Sequence, residues 1–265
     1  MAGDFGPPEN MEMLARPNFS RFAETALSSH DQVARTLGGE ILAGVYPPGG
    51  KLPSEAEMLA RFGVSRTVLR EAFKTLTAKG LIVSRTRVGT TVLDSAHWNF
   101  FDADVLTWKV SQGFDMAFVR DLAAIRLAIE PAAAQAAAEQ ASEADIARMR
   151  DCVARMGDAP GDAGEFATAD LEFHKAVGQA SGNVLMRSLS AVIETALLAS
   201  FRMSSPVREA EVHEESVKGH SRIVDAIEAR DGDGAAQAMR DIIGHGFARL
   251  ERAGTGGAKK KRAKD

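Results

Sequence analysis

The sequence contains little of what membrane-spanning or disulfide-stabilised proteins are made from. Its 265 residues include one cysteine, one tyrosine and two tryptophans. The single cysteine, Cys152, has no partner for an intramolecular disulfide, which is typical of proteins in reducing compartments. No run of about 18 apolar residues is present, and residues 1–4 do not begin the basic and then apolar pattern of a signal segment. We therefore expect a cytoplasmic protein with no membrane partner.

The clearest pattern lies between residues 52 and 76, where two short helices joined by a tight turn are predicted. Ser54 and Glu57 have the spacing of a capping box, in which each side chain accepts from the other residue's backbone N–H, so a helix should begin after Ser54. Gly63 should end that helix, and Ser65 is placed to cap the next one. Such a helix-turn-helix can place its second helix in the major groove of DNA.

Polar and cationic side chains stand at the start of the second helix. Arginine can donate two hydrogen bonds to guanine, and threonine can contact a thymine methyl group or a phosphate. A hairpin with two arginines at its turn should follow, because residues 81–83 and 90–93 have the composition of strands. Residues 28–94 are therefore predicted to form a winged helix-turn-helix. The residues expected to contact DNA are Ser54, Glu55, Ser65, Arg66, Thr67, Arg70, Arg85, Arg87 and Gly89.

The distribution of charge supports DNA binding over the alternative that the winged helix is a protein-interaction module. Residues 56–90 hold seven Lys or Arg and two Glu, a local charge of +5. Residues 95–250 hold fifteen basic and twenty-four acidic residues, a local charge of −9, and the whole chain has a net charge of −4. Positive charge is thus concentrated in the segment where phosphates would bind.

This segment contains an ordered set of motifs, which are Pro48-Gly49, Lys51-Leu52-Pro53-Ser54-Glu55, Val64-Ser65-Arg66, Leu69-Arg70-Glu71-Ala72 and Gly89-Thr90. The set resembles the GntR family of bacterial transcription regulators. The resemblance implies that Arg66, Arg70 and the wing contact double-stranded operator DNA. One position departs from the family pattern, because many members have Arg directly after the Pro-x-Glu of the first helix and this chain has Ala56.

From residue 104 onward the apolar residues recur at helical spacing, and no strand is predicted. Pro131 should kink or break the longest helix. We expect a mainly α protein in which the winged helix precedes an all-α, antiparallel helical bundle. The predicted divisions are a disordered N-terminus at 1–27, a linker at 95–103, the helical effector domain at 104–252 and a disordered basic tail at 253–265.

Three ionisable residues of the helical part could share a site. Asp170 and His174 lie one turn apart on one predicted helix, and His220 lies on a later one. A carboxylate and two imidazoles can hold a divalent metal ion such as zinc. On spacing alone, a chance pairing is the simpler explanation.

The segment 104–250 resembles the FCD effector domain of the FadR subfamily of GntR regulators, and this resemblance favours the metal site. Metal-binding members have four ligands. The resemblance implies that three of them are Asp170, His174 and His220 in this chain, whereas the position of the fourth, a histidine, is occupied by Ile242. We expect three protein ligands at Asp170, His174 and His220. The alternatives are that His245, one turn after Ile242, supplies the fourth ligand, or that no metal binds.

The same resemblance predicts an effector site. Arg126 could bind the carboxylate of an acidic effector, although a salt bridge to Glu130 one turn away is the simpler role. His245 and Arg249 are expected on the face of the last helix that Ile242 occupies. The full set of expected effector-binding residues is Arg126, Asp170, His174, His220, His245 and Arg249.

The run Trp98-Asn99, Asp102, Asp104-Val105-Leu106 and Trp108 resembles the galactonate-responsive repressors of the subfamily. We expect a homodimeric repressor of sugar-acid catabolic genes that a small carboxylic acid releases from DNA. Another small hydroxy or dicarboxylic acid is the alternative effector. A metal-dependent enzyme is the opposing hypothesis, but no histidine of the helical part has a glutamate three residues before it, as a di-iron bundle needs.

Overall fold

The computed structural model describes residues 28–112 and 115–262, except for the side chains of residues 202, 203, 208 and 254–262. The disorder predicted for residues 1–27 and for the last three residues lies outside the described chain. The described part contains eleven α-helices and one two-stranded hairpin, so the mainly α class is confirmed. None of these helices is both long and apolar enough to cross a membrane.

The N-terminal part is a winged helix-turn-helix, as predicted. In its hairpin, Ile82 pairs with Val92 and Arg85 pairs with Gly89 across two antiparallel strands. The elements follow in the order α1 Ser29–Leu42, α2 Glu55–Phe62, α3 Arg66–Ala78, β1 Ile82–Arg85 and β2 Gly89–Val92.

Local hydrogen bonds fix the turn between α2 and α3. The backbone N–H of Ser54 donates to Glu57 at 2.8 Å, and Ser54 Oγ accepts from the N–H of Glu57 at 3.4 Å, which completes the capping box. Gly63 ends α2 with a φ of 63°, a left-handed conformation that glycine adopts without strain. Ser65 Oγ accepts from the N–H of Val68 at 3.3 Å and starts α3. The sequence signals for both helices are therefore confirmed.

The core of the winged helix extends beyond the segment that the sequence assigned to it. Val105 and Trp108 belong to this core, although both come from the next helix, α4 Ala103–Ser111. The Trp108 ring lies against Gly38 of α1, where any larger side chain would collide with it. Helix α4, which the sequence analysis placed at the start of the second domain, is thus packed into the first.

The second domain is a bundle of helices without strands in the described chain. Its members are α5 Met116–Gln140, α6 Glu143–Gly157, α7 Ala163–Ala180, α8 Val184–Ser188, α9 Ser190–Met203, α10 Ala210–Glu228 and α11 Gly232–Arg262.

Three features of these helices bear on the predictions from sequence. Helix α5 continues through Pro131 without a break, because its packing against α7 and α11 outweighs the missing N–H of the proline. The apolar spacing from Asn183 to Met203 predicts one helix, but the structure divides it at Leu189 into α8 and α9. Helix α11 continues to Arg262, whereas a disordered tail was predicted from residue 253. Extending an existing helix avoids the cost of nucleation, which favours this continuation.

Helix α7 lies at the centre of the bundle and contacts α5, α6 and α9. Its apolar residues Phe166 and Phe173 are almost completely buried in the main core of the domain. Asp170 and His174 are buried on the same helix. Because an isolated charge is strongly disfavoured in such surroundings, these two side chains require partners.

Candidate functional site

All nine side chains or backbone positions predicted to contact DNA are exposed. Within the described residues, Arg70, Arg85 and Arg87 form no ion pair, so their charges are available to phosphates or bases. Arg66 Nε lies 3.7 Å from Glu55 Oε1, so the carboxylate at the start of α2 can restrain the Arg66 side chain. Glu55 contacts Arg66 in this arrangement, and its role at DNA stays a prediction.

The two predicted serines have a structural role. The hydroxyl groups of Ser54 and Ser65 cap α2 and α3. Free backbone N–H groups remain at the start of each helix, and these groups can bind a phosphate. Ala56 is exposed in the first turn of α2, so this position lacks the cation that many GntR members have.

The turn of the wing has an unusual backbone. Arg87 has a φ of 67° and Gly89 a φ of 99°, both in the left-handed region. Glycine adopts this region readily, whereas for Arg87 it is less favourable. Arg85 and Arg87 are both exposed, and both lie at the turn end of the hairpin.

The three predicted metal ligands meet inside the helical domain. Asp170 and His174 lie on α7 and His220 on α10, and all three residues are at most 4% exposed. One ligand atom from each lies within 4.8 Å of the other two. Asp170 Oδ1 is 2.7 Å from His220 Nε2 and 3.8 Å from His174 Nε2. The fold therefore brings together residues that are up to 50 positions apart in the sequence.

Hydrogen bonds to the opposite ring nitrogen orient both histidines. His220 Nδ1 donates to the backbone carbonyl of Ser216 at 2.8 Å, and His174 Nδ1 lies 2.5 Å from Glu130 Oε2. A proton on Nδ1 leaves a lone pair on Nε2 in a neutral imidazole. Both Nε2 atoms face Asp170, which is the arrangement found around protein-bound metal ions.

The donor set fits a divalent cation. In the neutral tautomer, the lone pair of His220 Nε2 faces an Asp170 carboxylate oxygen at 2.7 Å, and His220 Nε2 has no geometrically acceptable hydrogen-bond partner. Two facing lone pairs repel each other unless a positive centre, either a proton or a divalent cation, binds both. Arg126 Nη2 lies 3.2 Å from His174 Nε2 and would have to shift for that nitrogen to bind a metal ion.

Arg126 and Glu130 form an ion pair beside the metal ligands. Both side chains are buried, and Arg126 donates to Glu130 through Nε and Nη2. Burial by itself raises the pKa of Glu130, but Arg126 and then His174 outweigh it and hold that pKa at about 2. Burial likewise raises the pKa of Asp170, but His220, His174 and Arg126 lower it overall. Both carboxyl groups are therefore ionised at neutral pH.

A cavity of about 50 Å³ adjoins the three ligands. Arg126 and Arg249 contribute cationic side chains to its wall, and Ser200 and Ser216 contribute hydroxyl groups. Apolar side chains from α5, α9 and α11 complete the wall, including Ala123, Ala196, Leu197 and Ile243. A volume of this size holds a few water molecules, so a larger molecule would require the surrounding helices or side chains to move.

The position of His245 differs from the prediction. Its side chain is exposed and lines a separate groove of about 330 Å³ between α10 and α11. Three residues along a helix correspond to a rotation of about 300°, so His245 lies about 60° around the helix from Ile242, and both residues line this groove. Arg249, seven residues after Ile242, returns to the same side and lines the cavity with it. His245 therefore neither completes the ligand set nor contacts the cavity.

The groups that orient the histidines were not predictable from the sequence pattern. Glu130 was considered only as a partner of Arg126, and the carbonyl of Ser216 has no side-chain signal. The spacing of Asp170 and His174, one turn apart, indicates an interior site but gives no sign of Glu130. Only the packing of α5 against α7 brings Glu130 to His174.

Two protein families match adjacent segments of this chain. Residues 29–92 match the bacterial regulatory proteins of the gntR family, and residues 121–245 match the FCD domain. The galactonate operon transcriptional repressor of Escherichia coli K12 is 34% identical over 225 residues, which are 85% of this chain and 98% of that protein. The HTH-type transcriptional repressor NanR of Salmonella newport is 30% identical over 234 residues, 86% of this chain and 83% of that repressor.

A solved structure has the same fold. Lar, which controls the expression of the Listeria monocytogenes agr system, is 20% identical to this chain, with a TM-score of 0.58. The match covers 85% of this chain and 98% of the Lar chain. At this level of identity the likeness concerns the fold alone.

Proposed function

The chain belongs to the GntR family of bacterial transcriptional regulators and carries an FCD domain, and from this premise we propose that it is a repressor controlled by a small sugar acid. Its relatives are regulators and not enzymes. In the proposed cycle, the winged helices bind operator DNA until a sugar acid such as galactonate enters the helical domain. The observation that carries the proposal is the buried cluster of Asp170, His174 and His220 beside a polar cavity.

The chemistry of the cavity favours a small hydroxy acid. A carboxylate and hydroxyl groups are hard oxygen ligands, and they can complete the coordination of a divalent cation held by one aspartate and two histidines. The identity of 34% with a galactonate operon repressor supports the aldonate class within the hydroxy acids. A long acyl chain is disfavoured, because Arg126, Arg249 and two serine hydroxyl groups make the cavity wall polar.

We assign the cation to Asp170, His174 and His220, with the remaining coordination positions left for the effector. The cation would supply positive charge that binds and orients oxygen atoms of the acid. Glu130 and the Ser216 carbonyl hold the two imidazole rings with their Nε2 atoms towards this position. Zinc is the first candidate, since its protein ligands are commonly imidazole and carboxylate groups.

The packing of α9 offers a route from the cavity to the DNA-binding part. Ala196 of α9 lines the cavity and also belongs to a small apolar cluster with Leu106 of α4. Helix α4 is in turn packed into the core of the winged helix through Val105 and Trp108. A shift of α9 that enlarges the cavity would therefore move α4, and with it the orientation of the recognition helix α3.

We further propose that the functional unit is a homodimer that binds a pseudo-palindromic operator. One recognition helix reads a short half-site, so two copies give the length of sequence that a specific operator needs. Small changes in the spacing of two such helices would then lower DNA affinity strongly.

The test is an operator titration with purified full-length protein. A DNA site is first selected by the protein from a random library, and its affinity is measured by fluorescence anisotropy at fixed salt, with and without zinc. Galactonate is expected to weaken the affinity at least tenfold, and galactitol, which has the same carbon chain without a carboxylate, is the control. If no aldonate changes the affinity while another hydroxy acid does, the sugar-acid assignment is wrong and the regulator class remains.

A further inference from the structure

The two arginines of the cavity differ in how far their charges are already neutralised. Arg126 is paired with Glu130 through two of its nitrogen atoms, and both partners are buried. Within the described residues, Arg249 forms neither a hydrogen bond nor an ion pair. Its Nε atom is completely buried and without a partner.

A buried guanidinium nitrogen without a partner is costly. A buried charged donor without a partner costs more free energy than a neutral one, because the charge has also lost its hydration. Burial is also the largest influence on Arg249 and lowers its pKa, which means that the charged form is poorly solvated where it lies. An anion or a hydrogen-bond acceptor beside Arg249 would therefore stabilise the buried guanidinium group.

The backbone of α11 directs Arg249 to the cavity wall. Side chains on a helix lean towards its N-terminus, so Arg249 extends over the preceding turn. That turn carries Gly246, and a Cβ atom there would lie 3.8 Å from Arg249 Nη2. Gly246 and Ile242 line the same cavity as Arg249, Asp170 and His220.

The balance of buried charge points the same way. Arg126 and Glu130 neutralise each other, and Asp170 belongs to the group that would bind a divalent cation. With the cation present, the walls of this small cavity would carry an excess of positive charge, to which Arg249 contributes. An anionic group that enters the cavity would reduce this excess.

We propose that Arg249 binds the carboxylate of the effector, while hydroxyl oxygens of the same molecule face Asp170, His174 and His220. The ligand class is a small hydroxy acid whose carboxylate accepts from the guanidinium group. Arg126 is a positioning residue, which holds Glu130 and through it the His174 ring. This assignment rests on the proposed function, because it requires that an acid enters the cavity.

The experiment compares Arg249→Met, Arg249→Lys and Arg126→Met with the wild-type protein by calorimetric titration. The probes are galactonate, glycolate and lactate, with galactitol as the uncharged control, all at a fixed zinc concentration. Arg240→Met is the matched control variant, since Arg240 lies on the same helix and is exposed. Zinc content is measured for every variant, and thermal melting checks that each one is folded.

Arg249→Met is expected to bind galactonate about 10- to 100-fold more weakly, as the loss of a charge-assisted hydrogen bond predicts, and to retain zinc. Arg249→Lys should recover part of this loss, and Arg240→Met should bind like the wild type. Arg126→Met should instead lose zinc affinity. A folded Arg249→Met that binds the acids within threefold of the wild type overturns the assignment of Arg249. A wild type that binds glycolate or lactate but not galactonate overturns only the sugar-acid class, and a wild type that binds none of the acids overturns both proposals.

Discussion

Lys79 Nζ donates to Asp102 Oδ1 at 2.7 Å, and this ion pair connects the end of the recognition helix α3 with the start of α4. The same Asp102 oxygen accepts from the N–H groups of Asp104 and Val105 and so caps α4. Lys79 also lies 2.8 Å from Asp104 and 5.5 Å from the centre of the Trp108 ring. The side chains of Lys79 and Asp102 are 10% and 27% exposed, so water screens this pair less than the contact with Asp104, which is 63% exposed. Helices α3 and α4 are therefore held in one orientation.

Replacing Lys79 by methionine should weaken the communication between the effector and DNA. The variant keeps the apolar stem but leaves Asp102 without its cation, which we expect to cost about 1–3 kcal/mol of unfolding free energy. Urea denaturation measures this loss, and operator titration should show a smaller effect of galactonate on DNA affinity. Lys218→Met is the matched control, because Lys218 is exposed and pairs only within α10. An unchanged effector response in a destabilised Lys79→Met variant would contradict the proposed route.

Removing the metal should destabilise the helical domain. At a free zinc concentration 100-fold above the dissociation constant, binding to the folded state contributes about 2.7 kcal/mol, so chelation should lower the melting temperature and zinc should restore it. Asp170→Ala and His220→Ala should abolish this response. His245→Ala should retain it, since His245 lies in the outer groove. Loss of the zinc response in His245→Ala would restore the four-ligand alternative.

The arginines of the winged helix should contribute to DNA binding in two different ways. Arg70→Ala is expected to weaken binding by about 1–3 kcal/mol and to relax specificity at one position of each half-site, as for a residue that reads a base. Arg87→Ala should weaken binding to all sequences equally. It should also reduce the slope of log binding constant against log salt concentration by about 0.9 per subunit, the value for one phosphate contact. Anisotropy titrations of matched and mismatched DNA at several salt concentrations separate the two effects. Equal losses on all sequences for both variants would contradict the assignment of Arg70 to base reading.

The ion pair of Glu130 predicts how stability depends on pH in the metal-free protein. The pKa of Glu130 is about 2 in the folded protein and 4.5 in the reference state, so the folded state favours the ionised form by about 3 kcal/mol. Because the folded pKa is the lower one, this contribution is complete above pH about 4.5 and decreases as the pH falls towards 2. Urea unfolding in the presence of a chelator measures the free energy of unfolding at each pH. In Glu130→Gln this free energy should fall less steeply as the pH decreases below about 4.5.

Glu139→Gln is the control for this pH profile, because Glu139 is an exposed residue on the same helix. It should leave the acid side of the profile as steep as in the wild type. A Glu130→Gln profile that matches both the wild type and the control would mean that the carboxylate does not stabilise the folded state through Arg126 and His174.

Most of the fold was predictable because its signals are local. The capping box of Ser54 and Glu57, the stop at Gly63 and the cap at Ser65 each depend on residues within one turn, and the structure forms all of them. The apolar spacing from Met116 to Gln140 is likewise a local signal, and α5 forms over these residues. The division of the predicted helix at Leu189 and the continuation of α11 depend on how helices pack, which spacing within a single helix does not encode.

The candidate site was predictable only in part. Asp170, His174 and His220 were found through the resemblance to FCD domains, and the structure brings them together. His245 does not line the cavity as predicted, because three residues fall short of the 3.6 residues in a full helical turn and the difference places the side chain in the groove between α10 and α11. The contacts of Glu130 with His174 and of Lys79 with Asp102 were missed, because they join different helices and exist only in the folded chain.

The burial of Trp108 in the first domain also limits how this protein can be divided. A fragment that ends at residue 94 would lose Val105 and Trp108 from its core and expose the surface around Gly38. Chimeric regulators that join these DNA-binding helices to a foreign sensor should therefore be joined after Ser111, so that the DNA-binding part keeps Trp108 in its core.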